Sequence, residues 1–194
     1  MESIDGIEVL AFADGAELEA WLADHHDTQR SGAWLKIGKK NCRQASVGYV
    51  EAVEAALCFG WIDGQARSYD ADHYLQRFTP RRPRSIWSKV NVGRIETLTE
   101  AGRMREPGLA QVRAAQADGR WDAAYASQKN AAVPSDLTAA LAGDSRAREA
   151  FEQLDRSARY RVLLRLMTAR TPEVRAARLD RALAVLTSDS PESL

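Results

Sequence analysis

The stretch Leu57–Arg94, LCFGWIDGQARSYDADHYLQRFTPRRPRSIWSKVNVGR, decides how this chain reads. Gly60 stands where a helix stops, because glycine tolerates the left-handed position past a helix end. Trp61 to Arg67 and Tyr74 to Thr79 then read as two strands around the polar turn Ser68-Tyr69-Asp70-Ala71-Asp72. Along the first, Trp61, Asp63, Gln65 and Arg67 alternate onto one face and Ile62, Gly64 and Ala66 onto the other. Pro80 and Pro83 end strand pairing, since neither can donate a ladder hydrogen bond. Ser85 or Ser88 caps the next helix, whose stripe is Trp87, Val90, Arg94, Ile95 and Leu98.

Charge is least even in the same stretch. From His73 to Ile95 there is no acidic residue, while Arg77, Arg81, Arg82, Arg84, Lys89 and Arg94 all fall there. A strand-to-helix junction presents backbone N–H groups and the positive end of a helix dipole. Guanidinium groups added there match carboxylate or phosphate oxygens. Phe78 and Trp87 offer rings for stacking. This pattern points to an anion site; the competing reading is a solvated basic loop with Trp87 in the core. Asp63, beside Trp61 and facing Arg77 on the paired strand, reads either as a perturbed acid or as half of a cross-strand ion pair.

Towards the N-terminus, Ser46 caps a helix running to Phe59 with the stripe Val50, Val53 and Leu57. Ala33 to Ile37 is a strand, followed by the charged turn Gly38-Lys39-Lys40-Asn41. Asp14 caps an earlier helix, with Glu17 as capping-box partner and Leu18, Trp21, Leu22 and His25 at helical spacing. The pair His25-His26 reads as a solvated helix end. Glu8 to Phe12 is a first strand.

Towards the C-terminus the pattern turns helical. Leu109, Val112 and Ala115 form a helix stopped at Gly119, and Trp121 with Tyr125 marks a further helical turn. Lys129 to Pro134 is the boundary, giving an α+β domain over 1–128 and a helical region over 129–194. Helices follow over Leu137 to Leu141, Ala147 to Leu154 and Ser157 to Arg170. Thr171-Pro172-Glu173 starts the last, with the stripe Ala176, Leu179, Leu183 and Leu186. Ser188 to Leu194 reads as a frayed end. The fold class expected is α+β, a small antiparallel sheet packed on helices followed by an all-helical region.

The 194 residues carry zero formal net charge, so bulk electrostatics favour neither a polyanion nor an anionic membrane. No stretch approaches the roughly 20 apolar residues of a spanning helix, and the first residues do not have a secretory-signal pattern. A cytoplasmic location with reduced thiols is expected. Cys58 sits in an apolar run and reads as core. Cys42 sits in a loop with no His near it in sequence, which argues against a nucleophile. The chain lacks G-x-G-x-x-G, Walker A, G-x-S-x-G and H-E-x-x-H motifs, and its His and Cys do not cluster, so neither cofactor nor metal is expected.

The runs ALCFGWIDGQ (Ala56–Gln65) and YLQRFTPRRPRSIWSKVN (Tyr74–Asn91), then GRM at Gly102 and GRW at Gly119, resemble the YdeI/OmpD-associated family, also called bacteriocin-protection proteins. The closing TARTPEVRAARLDRALAVL (Thr168–Leu186) is similar to the family's small C-terminal helical region, with Ala169-Arg170 standing where Ala-Lys is commoner. The resemblance implies a cytoplasmic bacterial α+β protein linked to envelope stress or peptide-toxin tolerance, and carries no established reaction. The motif positions are Gly60, Trp61, Asp63, Gly64, Arg77, Pro80, Arg81, Arg82, Ser85, Trp87, Ser88, Lys89 and Asn91. From the residues, the expected function is non-enzymatic binding of a small anionic ligand by Trp61, Asp63, Arg77, Arg81, Arg82, Trp87, Lys89 and Asn91. Three alternatives stand beside it. One is a nucleic-acid binder using the 77–94 span, against which zero net charge weighs. Another is an enzyme with Asp63 as general base. The last is a protein partner held by the C-terminal helices.

Overall fold

A computed structural model describes residues 2–188. The chain packs as two compact units, residues 2–85 with 91–121, and residues 86–90 with 122–188.

The first unit holds the strands β1 (Ser3–Ile4), β2 (Ile7–Leu10), β3 (Ala33–Gly38), β4 (Trp61–Ser68) and β5 (His73–Pro80). They form one sheet in the order β1-β2-β3-β5-β4. The α+β expectation holds, with one correction: the sheet is mixed rather than antiparallel. β2 and β3 run parallel, with Val9 opposite Trp34 and Leu10 opposite Leu35. Parallel neighbours need a long crossover, and α1 (Gly15–His25) supplies it. The other three pairings are antiparallel.

The helices start largely where local chemistry puts them. Asp14 accepts the Glu17 N–H at 2.9 Å, and Glu17 reaches back to the N–H of Ala13. Leu18 and Leu22 are buried, His25 stacks on Trp21, and His26 packs against Phe59. The second helix, α2 (Tyr49–Cys58), does not use Ser46 as its cap. It begins after Gly48, whose N–H donates to the Glu51 carboxylate at 3.0 Å. Val50 is therefore a first-turn surface residue, and Ala52, Val53, Ala56 and Leu57 carry the buried face. Gly60, at φ +73°, follows its end.

One face of the sheet meets α1 and α2, where Leu35, Trp61 and Phe78 pack against Leu18, Trp21, Leu22 and Ala56 around a void of only ≈ 10 Å³. The other face carries a smaller cluster of Val9, Trp34 and Leu75, flanked by Ile4 and Ile7. A β-bulge interrupts β4 between Asp63 and Ala66. Bulges leave ladder groups unpaired, and the buried Gln76 amide donates to the Gly64 carbonyl there at 2.7 Å.

In α3 (Lys89–Glu100) the buried face is Asn91, Ile95 and Leu98, with Val90 exposed. Then α4 (Glu106–Ala117) crosses the end of α2 at Gly108. A Cβ added there would lie 2.4 Å from the Cys58 carbonyl oxygen.

The second unit holds α5 (Ser135–Gly143), α6 (Ser145–Gln153), α7 (Arg156–Met167) and α8 (Pro172–Thr187). Asp144, Asp155 and Thr171 cap the last three through their side chains. Their core is Leu137, Leu141, Ala147, Phe151, Val162, Leu163, Leu166 and Leu186, with Leu179 and Leu183 packed against it. Ala176, expected in the same stripe, is exposed. The turn of helix expected at Trp121 and Tyr125 is absent. Tyr125 instead forms a parallel bridge with Ser88, its backbone bonding Trp87 O and Lys89 N–H at 2.9 Å each. Of the frayed end read over Ser188 to Leu194, all but Ser188 lies outside the described residues.

Two outcomes are expected. Gly108→Ala forces α4 off α2 and should destabilise the protein by about 1–3 kcal/mol in urea titrations. Gly143→Ala, with open space at its Cβ, serves as the control. Asp136 accepts a fork from Arg175 at 2.7 and 2.9 Å. That guanidinium holds the Asp136 carboxyl below its ordinary value. A depressed folded value means the stabilisation is present at neutral pH and is lost as pH falls through the carboxylate range. Asp136→Asn should therefore lower the melting temperature at pH 7 and show a smaller further loss on acidification than the parent.

Candidate functional site

The residues singled out in the sequence take divergent positions. Trp61 is 1% exposed and belongs to the core. Its indole N–H donates to the His26 carbonyl at 3.1 Å, and its ring meets Trp21 edge-on. Asp63 pairs across the strands with Phe78 rather than Arg77, and accepts the Tyr49 hydroxyl at 2.7 Å. Burial first, then the Asp63 carboxylate, push the Tyr49 phenol well above its ordinary value, so the shared proton stays on tyrosine. Arg77 bonds the Ser31 and Phe78 carbonyls and lies over the Trp34 ring at 5.7 Å; burial pulls its basicity down.

Arg81 and Arg82 separate: Arg81 is 6% exposed, with its N–H bonded to the Gly60 carbonyl, whereas Arg82 is exposed. Asn91 is buried in α3 and accepts from Arg94 at 3.0 Å. Trp87 and Lys89 belong to the second unit, Trp87 buried and Lys89 exposed.

Chemistry converges elsewhere in the first unit. The chain leaving β2 (Ala11, Phe12, Ala13) and the loop leaving β3 (Gln44, Ala45, Ser46) line a depression of ≈ 300 Å³ together with Lys36, Asp70 and His73. These are the carboxyl ends of the parallel pair, where α/β units characteristically open a crevice. Gly38 makes the fold-back of the loop possible, for a Cβ there would lie 3.1 Å from Cβ of Ser46. The loop is fastened at both sides: Val47 N–H donates to Phe12 O at 2.9 Å, and Lys39 N–H to Asp72 O at 2.8 Å.

The sheet register sets Gly38 opposite His73. That places the loop residue Cys42 with its Sγ 3.6 Å from His73 Nε2. The opposite ring nitrogen, Nδ1, lies 3.2 and 3.3 Å from the two carboxylate oxygens of Asp70. A proton on Nδ1 shared with Asp70 leaves the Nε2 lone pair facing sulfur. Thiol, imidazole and carboxylate thus stand in the order of a nucleophile, its base and the group that orients the base. The thiol has a second acceptor in the Gln44 carbonyl at 3.4 Å.

Asp70 is held by the turn it closes. Desolvation acts to raise its carboxyl, but the N–H groups of His73 and Asp72 and the His73 ring outweigh this and keep it below its ordinary value. Its Oδ1 receives those N–H groups at 2.6 and 2.8 Å. Lys36 brings a cation to the depression; Tyr69 and then Glu2, 2.9 Å away, keep it protonated. The other thiol, Cys58, is fully buried, and burial pushes it up to about 11.

Cys42 and His73 were each visible in the sequence but 31 positions apart, with nothing local to join them. The missing signal was a pairing register, which no spacing rule encodes.

Residues 130–188 match the family described as bacteriocin-protection, YdeI or OmpD-associated, in agreement with the C-terminal resemblance. No curated protein and no solved structure matches the chain. Among the described residues no helix is long and apolar enough to cross a membrane. Residues 10–111, which contain β3, β4 and β5, the loop and the depression, match a domain of unknown function (DUF8412), and the chain belongs to that family.

Proposed function

We propose that the first unit binds a small anionic ligand in the depression at the carboxyl ends of β2 and β3, and that this binding serves a bacteriocin-protection-like role in the cytoplasm. The observation that carries the reading is the lining itself. A cation (Lys36), a hydroxyl (Ser46), an amide (Gln44) and an imidazole (His73) meet around ≈ 300 Å³, where the one carboxylate, Asp70, is engaged by the His73 ring and by the N–H groups of its own turn. That volume lies at the small end of ligand sites. The loop adds to the bias: Lys36 to Val50 contains Lys36, Lys39, Lys40 and Arg43 and no acidic residue. An ammonium has three donors, and Tyr69 and Glu2 engage two of them on Lys36. A ligand carboxylate or phosphate can accept from the third while Ser46 and His73 fix its orientation.

The basic span 77–94 supports this role less well. Arg77 covers Trp34, and Arg81 is buried.

Phosphate or acetate should raise the melting temperature of the full chain saturably in the millimolar range, by mass action on the folded state. Sodium chloride at matched ionic strength controls for general salt effects. Lys36→Ala should abolish the saturable increment. Equal increments in both proteins would overturn the proposal.

A further inference from the structure

We infer that the depression is the binding part of a reaction site, in which Cys42, in contact with the lining residues His73 and Gln44, attacks an activated carboxylic ester or thioester that carries an anionic group. The anionic part of this statement rests on the binding reading above; the covalent part rests on separate geometry. Cys42 Sγ is 3.6 Å from His73 Nε2, within the reach of a sulfur hydrogen bond. Asp70 holds the far side of the ring with both oxygens. His73 itself lines the depression, beside Ser46 and Lys36.

The arrangement has the features of an active centre rather than of a chance contact. The imidazole is mostly buried, with 13% of its side chain exposed, while Asp70 is more open at 47%. The base is therefore largely screened from bulk water, and its orienting group is fixed by two backbone N–H bonds within the turn. Cys42 is partly exposed, as a nucleophile must be, in contrast to Cys58.

The step balances with water as the only co-reactant. Nε2 of His73 takes the thiol proton as Sγ bonds to the carbonyl carbon and the C=O electron pair moves onto oxygen. That pair returns, the bond to the leaving alcohol or thiol breaks, and the leaving group takes the proton from Nε2. An S-acyl Cys42 remains. Water, deprotonated by the same nitrogen, then attacks the acyl carbon, and Cys42 leaves with the proton restored. The net change is hydrolysis to a carboxylic acid and an alcohol or thiol, without oxidation or reduction. Asp70 acts through His73 and is a positioning residue. Ser46 and Lys36, which line the same depression, are side-chain donors for the oxygen that gains charge.

Two esters test this on the full chain: mono-p-nitrophenyl succinate, which is anionic, and p-nitrophenyl acetate, which is neutral. Release of nitrophenolate should saturate, proceed faster for the anionic ester, and leave one acyl group that peptide mapping places on Cys42 and not on Cys58. Cys42→Ala should remove the adduct. His73→Ala should slow acylation by roughly 100-fold or more, the usual worth of a positioned base. Added imidazole should restore part of that rate, which a merely structural role for His73 would not allow. Asp70→Asn keeps the Oδ1 acceptor for the turn, and should lower the acylation rate at saturation with little change in the half-saturating ester concentration.

Acylation of His73→Ala as fast as the parent, or an adduct elsewhere than Cys42, would overturn the inference. Saturable phosphate or acetate binding with no acylation would also overturn it, while leaving the binding site in place. Equal acylation by both esters with no saturable anion effect would keep the nucleophile and remove the anionic specificity.

Discussion

The first unit depends on the antiparallel register of β3 against β5, from Ala33 opposite Phe78 to Gly38 opposite His73. β3 is the central strand, with Ala33, Trp34, Leu35 and Ile37 all buried. Because side chains alternate with period two, a slip of one residue would turn Leu35 and Ile37 away from the helices and Trp34 into them. Burial on both faces therefore specifies the pairing strongly. The same register carries chemistry. It ends at His73, and the chain leaving Gly38 turns back so that Cys42 meets the imidazole.

The surroundings of that contact are backbone structure. One strap joins the thiol-bearing loop to the segment after β2, and another joins it to the turn between β4 and β5. Both are main-chain hydrogen bonds, so they tolerate side-chain variation and still hold the loop. Function on loops held by a rigid scaffold is the common arrangement. Here the scaffold is the parallel pair β2–β3 with α1 crossing between, and the depression opens at its carboxyl end.

The arginine-rich span divides in the folded chain, with Arg82 and Lys89 exposed and other cations engaged within the fold. An acid-free run reads as an anion site because its cations lack local partners. In the folded chain Arg77 lies over Trp34 and bonds carbonyls, Arg81 is buried, and Arg94 bonds Asn91. Carbonyl oxygens and aromatic faces answer cations as carboxylates do, and neither can be counted in a sequence. The second unit makes a parallel point. Leu179, Leu183 and Leu186 in α8 are spent on the unit's own core, so an apolar stripe is not in itself a docking face.

Local physics made much of the architecture legible in the sequence. Asp14 and Thr171 cap the helices expected of them, because a cap is a contact three residues long. Gly60 ends α2, and the β4–β5 hairpin falls where the alternation and the polar turn put it. Ser46 was legible only as a good cap, since Gly48 with Glu51 does the same work two residues later. Tertiary structure alone decided the rest. That β2 and β3 run parallel, that Asp63 meets Tyr49 rather than Arg77, and that Cys42 finds His73 and Asp70 are all results of long-range pairing. Such contacts are set by how buried faces close over one another, a property of the whole unit that no short window of residues contains.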